Sequence, residues 1–95
     1  MDADARSLLS RLIRGRRVGA LGTLRPGGEP LVSMIAFVVE PDTGAFLMLA
    51  SGLAQHTQDF LRDPRAGLMI AEPDIEADDP QTLGRVSITG HIEPV

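Results

Sequence analysis

The chain contains no cysteine, no tryptophan, no tyrosine and no lysine. The absence of cysteine excludes disulfides, thiolate metal sites and a cysteine nucleophile, and it fits a reducing compartment. With only three phenylalanines, the hydrophobic core must consist of aliphatic side chains. No apolar run approaches the roughly 20 residues of a transmembrane helix. The acidic start, MDADARSLL, lacks the apolar stretch of a secretory signal. We therefore predict a cytoplasmic protein that does not associate with membranes.

The chain is short, and its size predicts one domain spanning residues 1–95 with a thin core. A core this small, and this poor in aromatic residues, favours a partner subunit that buries additional surface. The alternative is a marginally stable monomer.

The charges are distributed unevenly along the chain. All nine basic residues are arginines, and six of them fall within the first 25 residues. A basic end of this kind attracts nucleic acid or a phosphate ligand, although arginines also serve simply as the solvated flank of a helix. The net charge of −4 argues against a dedicated nucleic-acid binder.

Hydrophobic periodicity predicts a helix, three strands, a second helix and two further strands. The helices are expected at 3–14 and 52–62, and the strands at 17–24, 30–39, 45–50, 66–72 and 85–95. Short, glycine- and proline-containing connections between the first three strands favour an antiparallel meander. The acidic segment 73–84 is expected to be an exposed, mobile loop.

Three packing expectations follow from this pattern. Segment 30–39 is almost continuously apolar, so both of its faces are expected to be covered. Met34, Met48 and Met69 lie in predicted strands and are expected to fill the core. Leu53, Phe60 and Leu61 are expected to form the apolar side of the second helix.

The segment from Leu49 to Thr57 passes from a strand into the start of a helix. Free backbone N–H groups and the helix dipole favour an anion there, and Ser51, Gln55, His56 and Thr57 add side-chain donors. This combination suits a phosphate group. Ser51 is equally a natural N-cap, so capping of the helix stands as the alternative.

The sequence gives little support for a metal, nucleotide or nucleophile site. His56 and His91 are the only histidines, and without paired carboxylates or cysteines they make a poor metal set, so no metal site is predicted. The glycine spacing matches neither a P-loop nor a dinucleotide fingerprint, and no serine lies in a nucleophile elbow. The sequence identifies no catalytic side chain.

Several segments in this order resemble the pyridoxamine 5′-phosphate oxidase-related, FMN-binding split β-barrels, and more closely their haem-utilisation-type branch. The most specific segments are GALGTL before a glycine-rich turn, S-x-x-x-F in the second strand, LASGLAQHT before DPRA, and the closing GHIEPV. The resemblance implies an α+β fold, mainly β with two or three helices, built as an antiparallel split β-barrel of the FMN-binding type. Longer relatives continue past the last residue with a helix and at least one strand, so the barrel is expected to be shortened at its C-terminus or to belong to a longer protein.

The resemblance also implies a homodimer with two FMN molecules at the subunit interface. Ser33, Met34 and Ile35 would run along the flavin, largely through their backbone. Ser51, Gln55, His56 and Thr57 would hold the FMN phosphate, and Arg85 would reach a phosphate from the other subunit.

The chain departs from the true oxidases of the family at two points. They carry an Arg-Lys pair where this chain has Gln55 and His56. They also have a substrate-binding C-terminal segment with an arginine and a histidine, which is absent here. Pyridoxamine 5′-phosphate oxidase activity is therefore not expected.

Three functions are consistent with the sequence. The first is an FMN-binding oxidoreductase of unknown substrate. The second is a haem-binding or haem-degrading relative, with His56 or His91 as the available nitrogen ligands. The third is a non-enzymatic dimeric module whose flavin site has decayed, which the loss of the Arg-Lys pair supports.

Overall fold

A computed structural model describes residues 2–75 and 79–94. Its elements are α1 (Ala3–Gly15), β1 (Val18–Leu24), β2 (Pro30–Val39), β3 (Phe46–Met48), α2 (Gln55–Arg62), β4 (Arg65–Ala71), a 3₁₀ turn (Pro80–Thr82) and β5 (Arg85–His91). The five strands form one sheet in the order β3-β2-β1-β4-β5, and every neighbouring pair is antiparallel. The predicted fold class, a split barrel of mainly β structure, is confirmed.

Helix α1 begins where the sequence predicts because Asp2 caps it. The Asp2 carboxylate accepts a hydrogen bond of 2.7 Å from the backbone N–H of Ala5, which satisfies one of the free donors at the helix start. Leu8 and Leu12 lie four residues apart on one side of the helix and pack against the sheet. The helix therefore covers one face of the sheet.

The order of the strands explains the place of α2. β1 and β2 form a hairpin whose turn contains Gly27 and Gly28, both at φ 88°, a conformation that side chains other than glycine rarely adopt. The next strand after β3 pairs with β1 on its other side, so the chain must cross from one edge of the sheet to its middle. Helix α2 makes that crossing and contacts both β1 and β2.

The core lies between the helices and one face of the sheet. Its buried side chains alternate along the strands with period two, as expected for a sheet with one covered face. They are Leu12 from α1 together with Leu21, Ile35, Phe37, Leu68 and Ile70 from the strands. The rings of Phe37 and Phe46 pack at a centroid distance of 5.8 Å and tie the short strand β3 to β2.

The opposite face of the sheet is apolar along β1, β2, β3 and the centre of β4 and is uncovered within the described residues, and we call this apolar part the bare face. The strand register places six large exposed side chains on it: Val18, Val32, Met34, Val38, Leu47 and Met69. Val32 and Met34 are 70% and 73% exposed. The prediction that both faces of segment 30–39 are covered is therefore wrong within a single chain. The expectation that Met34 and Met69 fill the core is wrong as well, since both side chains lie on the bare face.

Helix α2 is shorter than predicted and turns a different side inward. It begins at Gln55 instead of residue 52, and its N-cap is Ala54, so Ser51 does not cap it. Leu53 and Leu61 are 96% and 58% exposed, whereas Thr57 and Asp59 are buried. The predicted apolar side is thus wrong for both leucines, since the chain itself provides no surface against them.

The remaining differences are small. Strand β3 has three residues where six were expected. The predicted acidic loop 73–84 contains the 3₁₀ turn, and its residues 76–78 lie outside the described part of the chain. Neither of the two described α-helices has the length and apolar character needed to cross a membrane.

Gly19 on β1 permits close approach of β4, which gives a first prediction. A Cβ atom at Gly19 would lie 2.9 Å from both Leu68 Cδ1 and the carbonyl oxygen of Met69. Gly19→Ala is expected to lower the free energy of unfolding by about 1–3 kcal/mol, since the backbone of β4 must move. Gly90→Ala, at a strand position with open space around it, serves as the control. Urea unfolding of both variants measures the difference, and equal effects would contradict the packing described.

An ion pair after α2 gives a second prediction, about pH. The Arg65 guanidinium contacts the Asp63 carboxylate through two hydrogen bonds of 2.7 and 3.0 Å. These bonds, with that from the Arg65 backbone N–H, lower the pKa of Asp63 from 3.8 to about 2. A lowered folded-state pKa contributes stability above the unfolded pKa, and that contribution is lost as the pH falls from about 4 to about 2.

Asp63→Asn should therefore be slightly less stable than the parent at pH 6, and the difference should vanish near pH 2. Urea unfolding across this range measures it, with Asp42→Asn in an exposed turn as the control. A difference that stays constant down to pH 2 would mean that the ion pair does not cause it.

Candidate functional site

The start of α2 presents backbone donors without acceptors. The first hydrogen bond of the helical pattern runs from the N–H of Gln58 to the carbonyl of Ala54, at 3.2 Å. The N–H groups of Gln55, His56 and Thr57 come before it and have no acceptor in the described part of the chain. Ala54 has no side chain able to cap them. Three donors at the positive end of a helix form a favourable environment for an anion.

His56 connects this helix to strand β2. Its Nδ1 lies 3.1 Å from the hydroxyl of Ser33, a residue 23 positions earlier in the chain. Its ring lies nearly parallel to that of Phe60, one turn further along α2, at a centroid distance of 6.4 Å. The other ring nitrogen, Nε2, is buried and has no partner within the described residues. The imidazole is therefore held in place on one side and has an unused polar atom on the other.

Thr57 adds a second unused polar group. The residue is 7% exposed, and its hydroxyl makes no hydrogen bond within the described residues. A buried hydroxyl without a partner costs on the order of 1–3 kcal/mol. Such groups are uncommon, and a missing ligand is one of the reasons for them.

Gln55 and Asp59 form a hydrogen-bonded pair along the helix. The Gln55 amide donates to Oδ1 of Asp59 at 2.8 Å, and this carboxylate is 1% exposed. Its other oxygen, Oδ2, has no partner in the described part of the chain. Sequence reasoning missed Asp59, because an aspartate in the middle of GLAQHTQDFLR is typical of a solvated helix face. The Gln55 amide keeps one further hydrogen to donate.

Ser51 lies outside the helix and shapes the turn before it. Its hydroxyl accepts a hydrogen bond of 3.2 Å from the N–H of Leu53, and its carbonyl accepts one of 3.2 Å from Ala54. The predicted alternative, that Ser51 caps the helix, is wrong because α2 starts four residues later. The hydroxyl hydrogen of Ser51 remains available to a ligand.

The other predicted residues lie apart from this cluster. Met34 is on the bare face, whereas its neighbours Ser33 and Ile35 point to the helix side, where Ile35 is 3% exposed. Only the backbone of Ile35 is therefore accessible to a ligand. Arg85 starts β5, which β1 and β4 separate from β2, and its guanidinium donates to the carbonyls of Gln81 and Leu83. Within one chain Arg85 does not join the α2 cluster.

Comparison with known families identifies the class of protein. The family model described as pyridoxamine 5′-phosphate oxidase matches residues 7–95. This match spans nearly the whole chain, and the chain belongs to that family. The family predicted from the sequence motifs is thereby confirmed.

Solved structures agree with this assignment. One is 40% identical over the whole chain, with a TM-score of 0.84, and the chain covers 64% of its length. A heme binding protein from Mycobacterium smegmatis is 29% identical over 96% of the chain, with a TM-score of 0.77. The protein Atu2129 from Agrobacterium tumefaciens, of unknown function, is 32% identical over 82% of the chain, with a TM-score of 0.68. The similarity to the Mycobacterium smegmatis protein supports placing the chain in the haem-utilisation-type branch of the family.

The chain spans only part of these relatives. It covers 36% of the length of the Mycobacterium smegmatis protein and 34% of that of Atu2129. HutZ from Vibrio cholerae, described as a heme storage protein, shares the fold at 21% identity and a TM-score of 0.75. No protein of curated function matches the chain.

Proposed function

We propose that the protein binds FMN and that the start of α2 holds the phosphate group of the cofactor. The observation that carries the proposal is the clustering of unused hydrogen-bond donors at the start of this helix. Three backbone N–H groups begin the helix. Its first turn also contains the buried His56 Nε2 and Thr57 Oγ1 atoms, which have no partner among the described residues. Membership of the pyridoxamine 5′-phosphate oxidase family supports the same ligand.

The chemistry of these groups fits a phosphate ester. Backbone N–H groups, hydroxyls and an imidazole all donate hydrogen bonds to phosphate oxygens. The site lacks the fixed positive charge of an arginine or lysine, since Gln55 and His56 stand at its start. Uncharged hydrogen-bond donors and the helix dipole must then provide most of the binding free energy of the phosphate group. We therefore expect a weaker phosphate contact than an arginine-lysine pair would make.

The flavin, when bound, would supply hydride or electron transfer, and the protein would bind it, orient it and exclude water. Ser33 has a positioning role in this proposal, because its hydroxyl fixes the His56 ring at 3.1 Å. Met34 would meet the flavin from the bare face, and the backbone of β2 would line it.

A second copy of the chain is the proposed cover of the bare face. This face is too apolar to be left in water, since Val32, Met34 and Val38 are all at least 60% exposed. The exposed Leu49 and Leu53 extend the apolar surface to the loop before α2. A two-fold dimer would bury this surface on both chains at once and place Arg85 within reach of the partner's cofactor.

Comparing FMN with riboflavin tests the phosphate site directly. The two share the isoalloxazine ring, and riboflavin lacks only the phosphate. FMN should bind at least about tenfold more tightly, the equivalent of ~1.4 kcal/mol. Quenching of flavin fluorescence on titration with the protein measures both dissociation constants. Equal affinities would mean that the phosphate does not contact the protein. They would contradict the placement of the phosphate site at the start of α2.

Haem is the second candidate ligand, favoured by the free Nε2 of His56 and by likeness to the heme binding protein. His91 is the other possible ligand and lies exposed at the end of β5. If haem is the ligand, added haemin should give a Soret band that His56→Ala or His91→Ala shifts or weakens. A band unchanged in both variants would rule out histidine ligation by this chain.

A further inference from the structure

A pocket of about 490 Å³ lies where α1 ends and β1 begins, against the end of β2. It is lined by Ile13, Arg14, Arg16, Arg17 and residues 36–39. Three arginines thus line a single pocket, and no acidic residue lines it with them. The pocket is separate from the start of α2, none of whose residues contributes to it.

Within the described residues, none of these three arginines has a carboxylate partner. Among residues 2–75 and 79–94 the one ion pair joins Arg65 to Asp63. The Nε of Arg16 is buried and donates to no acceptor in the described part of the chain. A buried guanidinium N–H without an acceptor is costly, since charged groups lose more than neutral ones when left unpaired.

The helix dipole accounts for the position of only one of the three side chains. Arg14 lies in the last turn of α1, where a cation interacts favourably with the helix dipole. Arg16 and Arg17 follow the helix, and the Arg17 carbonyl accepts the N–H of Phe37 at 3.0 Å, which fixes the backbone beside the pocket. All three side chains carry a positive charge, and an anion in the pocket that they line would interact favourably with each of them.

We infer that this pocket binds an oxyanionic group, a phosphate or a carboxylate, of a small molecule. Guanidinium groups match the geometry of both through paired hydrogen bonds, and a pocket of this volume has room for the group and part of the molecule that carries it. Ile13 and the backbone of 36–39 would contact its less polar part. The inference does not depend on flavin binding.

Titration of ¹⁵N-labelled protein with inorganic pyrophosphate, and separately with succinate, at constant ionic strength tests the inference. We expect saturable shifts of the backbone amides of 13–18 and 36–39, and of the Arg16 Nε–H signal. The probe that binds more tightly identifies the kind of oxyanion. Shifts at 54–58 are expected separately from the phosphate site proposed at the start of α2. Saturable shifts there with none at 13–18 and 36–39, or no saturable shifts with either probe, would overturn the inference.

Substitutions locate the site more sharply. Arg16→Gln and Arg14→Gln should each weaken binding of the preferred probe about tenfold, ~1.4 kcal/mol. Arg14 is exposed on the helix, so probe binding by the Arg14 variant can be measured even if the Arg16 variant folds poorly. Arg11→Gln makes the same charge change on α1 outside the pocket and should alter binding less than about twofold. An equal loss in all three would indicate a diffuse charge effect and overturn the inference.

One further outcome would also overturn it. If the pocket amides shift with protein concentration alone and added pyrophosphate leaves them unchanged, a second copy of the chain occupies the pocket.

Discussion

In the proposed dimer, replacing Met34 by aspartate is expected to give a monomer that does not retain FMN. Met34 is 73% exposed on the bare face, so the new carboxylate is solvated in one chain and the fold should persist. In a two-fold dimer the same change occurs twice in one apolar interface, and burying two unpaired charges there costs several kcal/mol. Gel filtration with light scattering measures the mass, and flavin fluorescence measures retention.

Ser7→Asp is the matched control for this experiment, because it places an aspartate on the exposed side of α1, away from the bare face. It should leave both mass and flavin retention unchanged. A parent protein that is already monomeric at tens of micromolar, or a Met34→Asp variant that remains dimeric, would show that the bare face is not the subunit interface. Circular dichroism of the variant separates loss of assembly from loss of folding.

Replacing Thr57 by valine is expected to weaken FMN binding at least about tenfold, ~1.4 kcal/mol, without destabilising the free protein. Valine keeps the shape of threonine and removes the hydroxyl, which makes no hydrogen bond within the described residues. Removing an unpaired buried hydroxyl should leave the free energy of unfolding unchanged or raise it by about 1 kcal/mol. Opposite changes in stability and affinity are typical of a residue kept for ligand binding.

Thr23→Val provides the comparison for this variant. The Thr23 hydroxyl is also buried and without a partner in the described residues, but it belongs to β1 and not to the start of α2. Its removal should affect stability in the same direction and leave FMN affinity within about twofold. If Thr57→Val lowers stability and leaves affinity unchanged, the hydroxyl has a structural role and the phosphate site lies elsewhere.

Much of the fold could be predicted because its signals are local. An aspartate before an amphipathic run, Asp2 or Asp4, predicts the start of α1, and the paired glycines predict the turn between β1 and β2. The errors concern apolar surfaces that stay exposed among the described residues of a single chain. Segment 30–39 is apolar as predicted, but half of its side chains face away from the core that the described residues form. Leu53 and Leu61 were predicted to form the apolar side of α2, and they too are exposed.

The site was predicted less completely, since its contacts join residues distant in sequence. The pattern of helix start and polar residues led to Gln55, His56 and Thr57, but nothing local indicates that Ser33 contacts His56. The burial of Asp59 was also unpredictable, because an acidic residue in a short polar helix is ordinarily exposed. Whether Met34 and Arg85 belong to the same site depends on a second chain and remains a prediction.

The most direct test of the account is an absorbance spectrum of the purified protein after incubation with FMN and gel filtration. We predict flavin absorbance that elutes with the protein at the position of a dimer, in a stoichiometry of one flavin per chain. A protein that elutes as a dimer without flavin would contradict the proposed function while leaving the interface intact. A protein that elutes colourless and monomeric would contradict both the cofactor and the role of the bare face.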